Sequence, residues 1–461
     1  MSKRVVISLG VAAVVAGGLY VAGDYLLARA TEQLVDSFQK GLPEGTTLSY
    51  DRMESNLLGR QVTLGNLKIR APAGEITYTL TAGEVSLQGV PLLGTRSVTL
   101  GHLSASKLQV GFGNEIGAES ASFDGLNLHP EGVSFAGGDI AGLYLRGAVG
   151  PTLVQATTVK LGALQDNILS SLVTDGLQLR LNPEEANQLV QVAHVEATTV
   201  NLPALMDARF NPRSLLLRDA LGEVNLSDFN LSDGADAHIS VGYLVLKGES
   251  AGNGYRKNLL LDVTGISLPV QRAPVQVQAL MGVNGAASMA PAEFHIAILH
   301  DPATRLLTLD NARLVMPGQG ELQAKGAVSG VSSLMLLENP AGFAAMSFDG
   351  FELHYTDLGV VQRRVQAEAE RMAITPDVYA EQIINKIGPQ MEVLGRRGTQ
   401  IRDVLYNFIS SPRYLSFVAK PAQPVSLLQL APLLNAPAQL ADILGIFASS
   451  ESLQTIPAST P

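Results

Sequence analysis

From about Thr47 to Val331 short alternating stretches replace helical periodicity, and one pattern returns through them and once beyond: two apolar residues in alternation, a small or turn-forming residue, then a second alternating apolar pair. It is clearest at Val62–Ile69 (VTLGNLKI) and recurs at Val98–Leu103 and Val159–Leu164. Looser copies lie at Ala121–Leu128, Asp139–Leu145, Val224–Leu231, Leu261–Leu268 and Met346–Leu353. Alternation with period two is the mark of a strand with one buried face. A Gly, Asn or Asp in mid-strand marks a bulge or bend. The intervals between copies are irregular, which excludes a strict solenoid repeat.

A bend at one place in many strands curls a sheet. At Gly65-Asn66 it also shifts the phase of alternation, so that Val62, Leu64, Leu67 and Ile69 can all face one side. The same reasoning applies to Val98, Leu100, Leu103, Val159, Leu161 and Leu164. The expected fold is therefore mainly β with C-terminal helices, an elongated, curled antiparallel sheet whose concave face is an apolar groove. Such a groove must be filled, by the chain's own helices, by a second sheet or by acyl chains, because exposed apolar surface costs about 25 cal/mol per Å². A closed β-sandwich is the alternative.

The N-terminus carries Lys3 and Arg4 ahead of an uncharged run, Val5 to Gly23. At about 1.5 Å per residue such a run just crosses a bilayer core of roughly 30 Å. The basic pair places the N-terminus in the cytoplasm and the bulk of the chain across the membrane. A cleaved signal peptide is the alternative, with small-residue sites at Val21–Gly23 and Ala28–Ala30. Helical spacing continues through Leu26, Ala30, Leu34 and Phe38, with Arg29, Glu32, Asp36 and Lys40 on another face. This continuity favours a retained anchor running into an amphipathic helix.

Further helices are expected from Asn182-Pro183-Glu184-Glu185 through His194, from about Gly359 onward, from Thr375-Pro376-Asp377, and around Ile401, Leu405 and Phe408. A strand, Tyr414 to Ala419, is expected between Pro412 and Pro421, then an apolar helix pair from Leu427 to Phe447. The Gly359–Gly388 helices are read as covering one end or face of the sheet, a lid or partner-docking face being the sharper alternative. The resulting division is an anchor (1–23), an amphipathic helix (24–45), a β-groove domain (46–345), a C-terminal strand with helices (346–448) and a disordered tail (449–461).

Composition narrows function more by exclusion than by naming. The chain has no cysteine, so thiolate metal sites, disulfides and cysteine nucleophiles are excluded. Only 16% of residues are charged and the formal net charge is −10, which argues against nucleic acid as a partner. No phosphate loop, dinucleotide turn or nucleophile elbow occurs. The seven histidines form no H-x-x-x-H pair. Glu352 and His354, near Asp349 and Asp357, could ligate a metal or do acid–base work, but wet-face polar residues are the plainer reading. Asp228–Gly234 approaches a calcium loop without its closing Glu and reads as a turn. No catalytic residue, metal or cofactor is assigned.

The layout resembles the AsmA-like envelope proteins of Gram-negative bacteria, a curled-sheet superfamily with TamB-type and chorein-type lipid carriers. The residues behind the resemblance are the run Val5–Gly23 flowing into Tyr25–Lys40, then Leu48–Tyr50, the bent strand Val62–Ile69, and Leu353–Gly359 followed by helices and Phe408–Pro412. The resemblance implies a single-pass inner-membrane protein with a periplasmic bulk. It implies phospholipid acyl chains or other envelope proteins as partners, in outer-membrane biogenesis. A non-enzymatic assembly factor is the alternative function, and an exported hydrolase stands behind both.

Overall fold

The computed structural model describes residues 45–56, 61–73, 76–89, 98–111, 115–129, 132–146, 152–181, 188–207, 212–233, 238–251, 254–267, 291–338, 340–433 and 435–450. The expected anchor with Lys3 and Arg4, the amphipathic helix and the end of the tail lie outside the described residues. The chain forms two compact units, residues 1–211 with 220–236, and residues 212–219 with 237–461. The border falls inside the span 46–345 that the sequence pattern treats as one.

Unit 1 holds thirteen strands among its described residues: β1 (Thr47–Ser49), β2 (Arg52–Asn56), β3 (Gln61–Ala73), β4 (Ile76–Gln88), β5 (Val98–Gly111), β6 (Glu115–His129), β7 (Gly132–Ser134), β8 (Gly137–Arg146), β9 (Thr152–Leu161), β10 (Leu164–Gln165), β11 (Ile168–Leu181), β12 (Gln188–Asn201) and β13 (Val224–Asp233). A short helix, α1 (Leu202–Asp207), follows β12. Neighbouring long strands pair antiparallel in the order β3-β4-β5-β6-β8-β9-β11-β12-β13. Both β1 and β2 pair with β3 at the edge.

The recurring bend has a specific backbone form. Asn66, Lys107, Gly142, Gly176 and Asp228 all have φ between 49° and 62°. They sit on β3, β5, β8, β11 and β13, every second strand of the order above. Each falls at the same level of the ladder: Asn66 lies between the pairs Gly65–Glu84 and Leu67–Ala82, and Gly176 between Asp175–His194 and Leu177–Val192. The register does not slip across this line, so it is a seam of left-handed residues rather than a row of one-sided bulges. A second seam runs through Gly89, Gly125 and Thr199.

At the first seam the side-chain alternation resets. Apolar residues three apart, Leu64 and Leu67 on β3 or Val85 and Ala82 on β4, are buried in one core. The phase shift expected at Gly65-Asn66 is thus present, and the seam carries it across the whole unit. In the part of the sheet holding Val62, Leu64, Leu87 and Leu103, the apolar face closes on itself. These residues share a core with Leu164, Leu169 and Val200 from β10 to β12, and Leu202 and Leu205 of α1 pack against it.

Unit 2 holds nine strands among its described residues: β14 (His238–Lys247), β15 (Asn258–Ile266), β16 (Ala292–Asp301), β17 (Leu306–Met316), β18 (Gly320–Ser329), β19 (Ser347–Asp357), β20 (Tyr414–Ala419), β21 (Val425–Ser426) and β22 (Ile446–Ser449). Pairing is antiparallel from β14 to β20 in sequence order, with β22 on β20 and β21 on β19. Here the irregularities are true register shifts, as between Ala297 and Ile298 or Ala327 and Val328. The helices of unit 2 are α2 (Pro212–Leu217), α3 (Met335–Glu338), α4 (Val360–Arg371), α5 (Pro376–Glu392), α6 (Arg396–Ser410), α7 (Leu427–Leu433) and α8 (Pro437–Ile443). A small core of Val331, Leu334 and Met346 gathers Leu217, Tyr255 and Leu427.

Local signals explain the helix starts. The Thr375 hydroxyl accepts the Val378 amide and Pro376 opens α5. Asp357, three residues before α4, accepts the amides of Gly359, Val361 and Gln362. The expectation that the Gly359–Gly388 helices cover the sheet is met in part. α4 touches β19, whereas α5 packs chiefly on α6, and α6 rests on β20 and β22. Phe408 of α6 meets Tyr355 of β19 edge to face, centroids 6.0 Å apart. At the α5–α6 crossing a Cβ on Gly398 would stand 1.8 Å from the Met391 carbonyl oxygen, so only glycine permits the approach.

Three sequence expectations are corrected. Gln188–His194 is strand, not helix: Val190, Val192 and Val195 are β-branched, and β11 and β13 offer ladders on both edges. Asp228 is a seam residue within β13, not part of a turn. Phe447 and Ser449 belong to β22, which pairs with β20, and not to a helix or the tail.

Candidate functional site

The strands of unit 1 expose two chemically opposite faces. Of the ten residues expected to line an apolar groove, Val62, Leu64, Leu67, Ile69, Leu100, Leu103, Val159 and Leu164 are at most 8% exposed. Leu161 is half-buried and packs against the same core, while the side chain of Val98 lies outside the described residues. The fold therefore brings most of these residues together, as packed interior.

On the far side of the first seam the apolar face is more open. Val110, Ile116, Leu145, Val154 and Leu179 are successive cross-strand neighbours on β5, β6, β8, β9 and β11. All five are half-buried. Pattern reading names only Leu145 among them, as the end of a looser copy. The signal for the rest is the second apolar pair of each bent strand, legible once the seam is known.

The opposite face is polar. Histidines are met there by carboxylates directly across the strands: His102 Nδ1 lies 2.6 Å from Asp124, His194 Nδ1 lies 2.7 Å from Asp175, and in unit 2 His295 Nδ1 bonds Asp262. Asp175 also accepts the Thr158 hydroxyl at 2.8 Å. The bond from His194, then that from Thr158, holds the Asp175 carboxyl below its ordinary value. Sequence reasoning missed these pairs because they depend on register, which places residues 19 to 33 positions apart opposite one another.

Between the seams this face dips into a depression of ≈ 370 Å³ across β4, β5, β6, β8 and β9. Ser104, Ser106, Ser120 and Ser122 lie among its small lining side chains, with Glu84, Asp139 and Lys160.

The Glu352–His354 pair lies on β19. His354 Nδ1 is 2.6 Å from the Tyr414 hydroxyl, the two rings stack, and Nε2 is 3.4 Å from Glu352. Asp349 instead accepts from Ser329 and Asp357 caps α4, so the four do not converge. His300 is a core histidine bonded to the Val331 carbonyl at 2.7 Å. Among the described residues no group of three His, Asp or Glu side chains could hold a metal ion. Among them, too, no helix is long and apolar enough to cross a membrane.

A family model described only as an uncharacterized protein matches residues 313–451, from within β17 past β22. No curated protein matches the chain.

Proposed function

We propose that this chain is an envelope protein held at the inner membrane of a Gram-negative bacterium by the run Val5–Gly23, its bulk periplasmic, and that the open part of unit 1's apolar face takes lipid acyl chains. One observation carries the reading: the row Val110, Ile116, Leu145, Val154 and Leu179 is continuous across five strands and only half-buried, while the core beside it is closed. With strands about 4.8 Å apart, the row is roughly 19 Å long. Each methylene laid on it gains up to about 0.8 kcal/mol, so ten offer a gross gain near 8 kcal/mol before ordering costs. The layout resemblance to AsmA-like proteins supports the same reading.

Site-specific photo-crosslinking in cells tests it. A photoreactive residue at Leu145 or Val154 is expected to yield lipid adducts by mass spectrometry, and one at Ser122, on the polar face, is not. Absence of adducts at both row positions, or equal adducts at Ser122, overturns the proposal. A second reading, docking of other envelope proteins on the C-terminal helices, is favoured by Val378 and Val393, 41% and 55% exposed. A discrete protein crosslink at Val378 tests that reading.

A further inference from the structure

We propose that the serine-lined depression of unit 1 is a binding site for a neutral saccharide, on the face of the sheet opposite the acyl-chain row and independent of it. Its floor is made of short side chains on neighbouring strands. Ser104 stands opposite Ser122, Ser106 opposite Ser120, and Ala141 beside Ser120. Taller groups line it as well: Glu84 on β4, Asp139 on β8 and Lys160 on β9. The volume of ≈ 370 Å³ lies within the range of small-molecule sites, about 300–1,000 Å³.

The chemistry of the lining selects the ligand class. The four serine hydroxyls have no hydrogen-bond partner among the described residues. A hydroxyl both donates and accepts, which suits a ligand whose own groups do both. Asp139 and Lys160 are directly paired across β8 and β9 without an ion pair between them, which places an acceptor and a donor at the rim. Arg52 engages Glu84 at 3.5 Å and Asp139 balances Lys160, so the depression carries no net charge and suits a neutral ligand better than an anion. The lining has no aromatic ring. A neutral polyol ring satisfies hydroxyls, carboxylate and ammonium together.

The test is saturation-transfer NMR and calorimetry on the full chain with glucose, galactose, N-acetylglucosamine, maltose and chitobiose, against sodium phosphate and glycine. At least one sugar is expected to saturate the protein, and the anion and the amino acid are not. Ser104→Ala with Ser122→Ala, both half-exposed positions, is expected to weaken that sugar about tenfold, two hydrogen bonds being lost. Asp139→Asn is a second, independent variant and should weaken binding while leaving the far-ultraviolet circular dichroism unchanged. Failure of every sugar, unchanged affinity in correctly folded variants, or binding of phosphate or glycine in place of a sugar overturns the proposal.

Discussion

Gly176 tests whether the seam is a required backbone conformation or an incidental kink. It has φ +62°, and a Cβ there would stand 2.3 Å from the Thr157 hydroxyl. Gly176→Ala places an L side chain in the left-handed region, at about 1–2 kcal/mol. Displacing Thr157 from its rotamer adds about 0.5–1.5 kcal/mol. Reduced unfolded-chain entropy returns about 0.4–1 kcal/mol. The net loss is therefore about 1–3 kcal/mol, or a Tm fall of about 2–4 °C per kcal/mol in a unit of this size. Gly111 is the control: it has no positive φ and its Cβ would meet nothing within 4 Å. Gly111→Ala should be neutral or stabilising by up to about 1 kcal/mol. Thr157→Ala added to Gly176→Ala should recover the steric part and leave the torsional part. With no tryptophan in the chain, urea unfolding followed by circular dichroism is the suitable assay. Equal stability of Gly176→Ala and the parent, or an equal loss in Gly111→Ala, refutes the reasoning.

Leu67, 1% exposed in the unit 1 core, should lose about 2–5 kcal/mol as Leu67→Ala, read by the same unfolding curve. Asp357→Ala should lose about 0.5–2 kcal/mol and fray the start of α4, seen as faster amide exchange at Val361 and Gln362. Asp175 has its pKa lowered in the fold, so its contribution is present above about pH 4 and disappears as pH falls through the folded value. His194→Ala should raise the Asp175 carboxyl toward its ordinary value in an NMR titration. Burial, then the Asp357 carboxylate, pushes the Tyr355 phenol up, so stability is full below about pH 10 and falls as pH rises through the folded value. Tyr355→Phe should flatten that alkaline limb.

Local signals in the chain were legible where the cause is local. Thr375-Pro376-Asp377 marks the start of α5 because its capping partner is three residues away. Tyr414–Ala419, flanked by Pro412 and Pro421, is a strand with those same bounds. The GN step at Gly65-Asn66 announces its phase shift because a left-handed residue acts on its own neighbours. The segment after Asn182-Pro183 shows the limit. A good helix start preceded Leu189 and Val190, yet the strands on either side, β11 and β13, supplied ladders and made the stretch β.

By itself, then, the amino-acid order determined a mainly β chain with bent strands and helices after β19, since alternation, turns and caps are written within a few residues. Tertiary structure alone decided which apolar stretches close into a core, which stay half-open, and which histidine faces which aspartate. Those outcomes rest on the register of strands up to dozens of residues apart, where a slip of one residue sends every side chain to the other face.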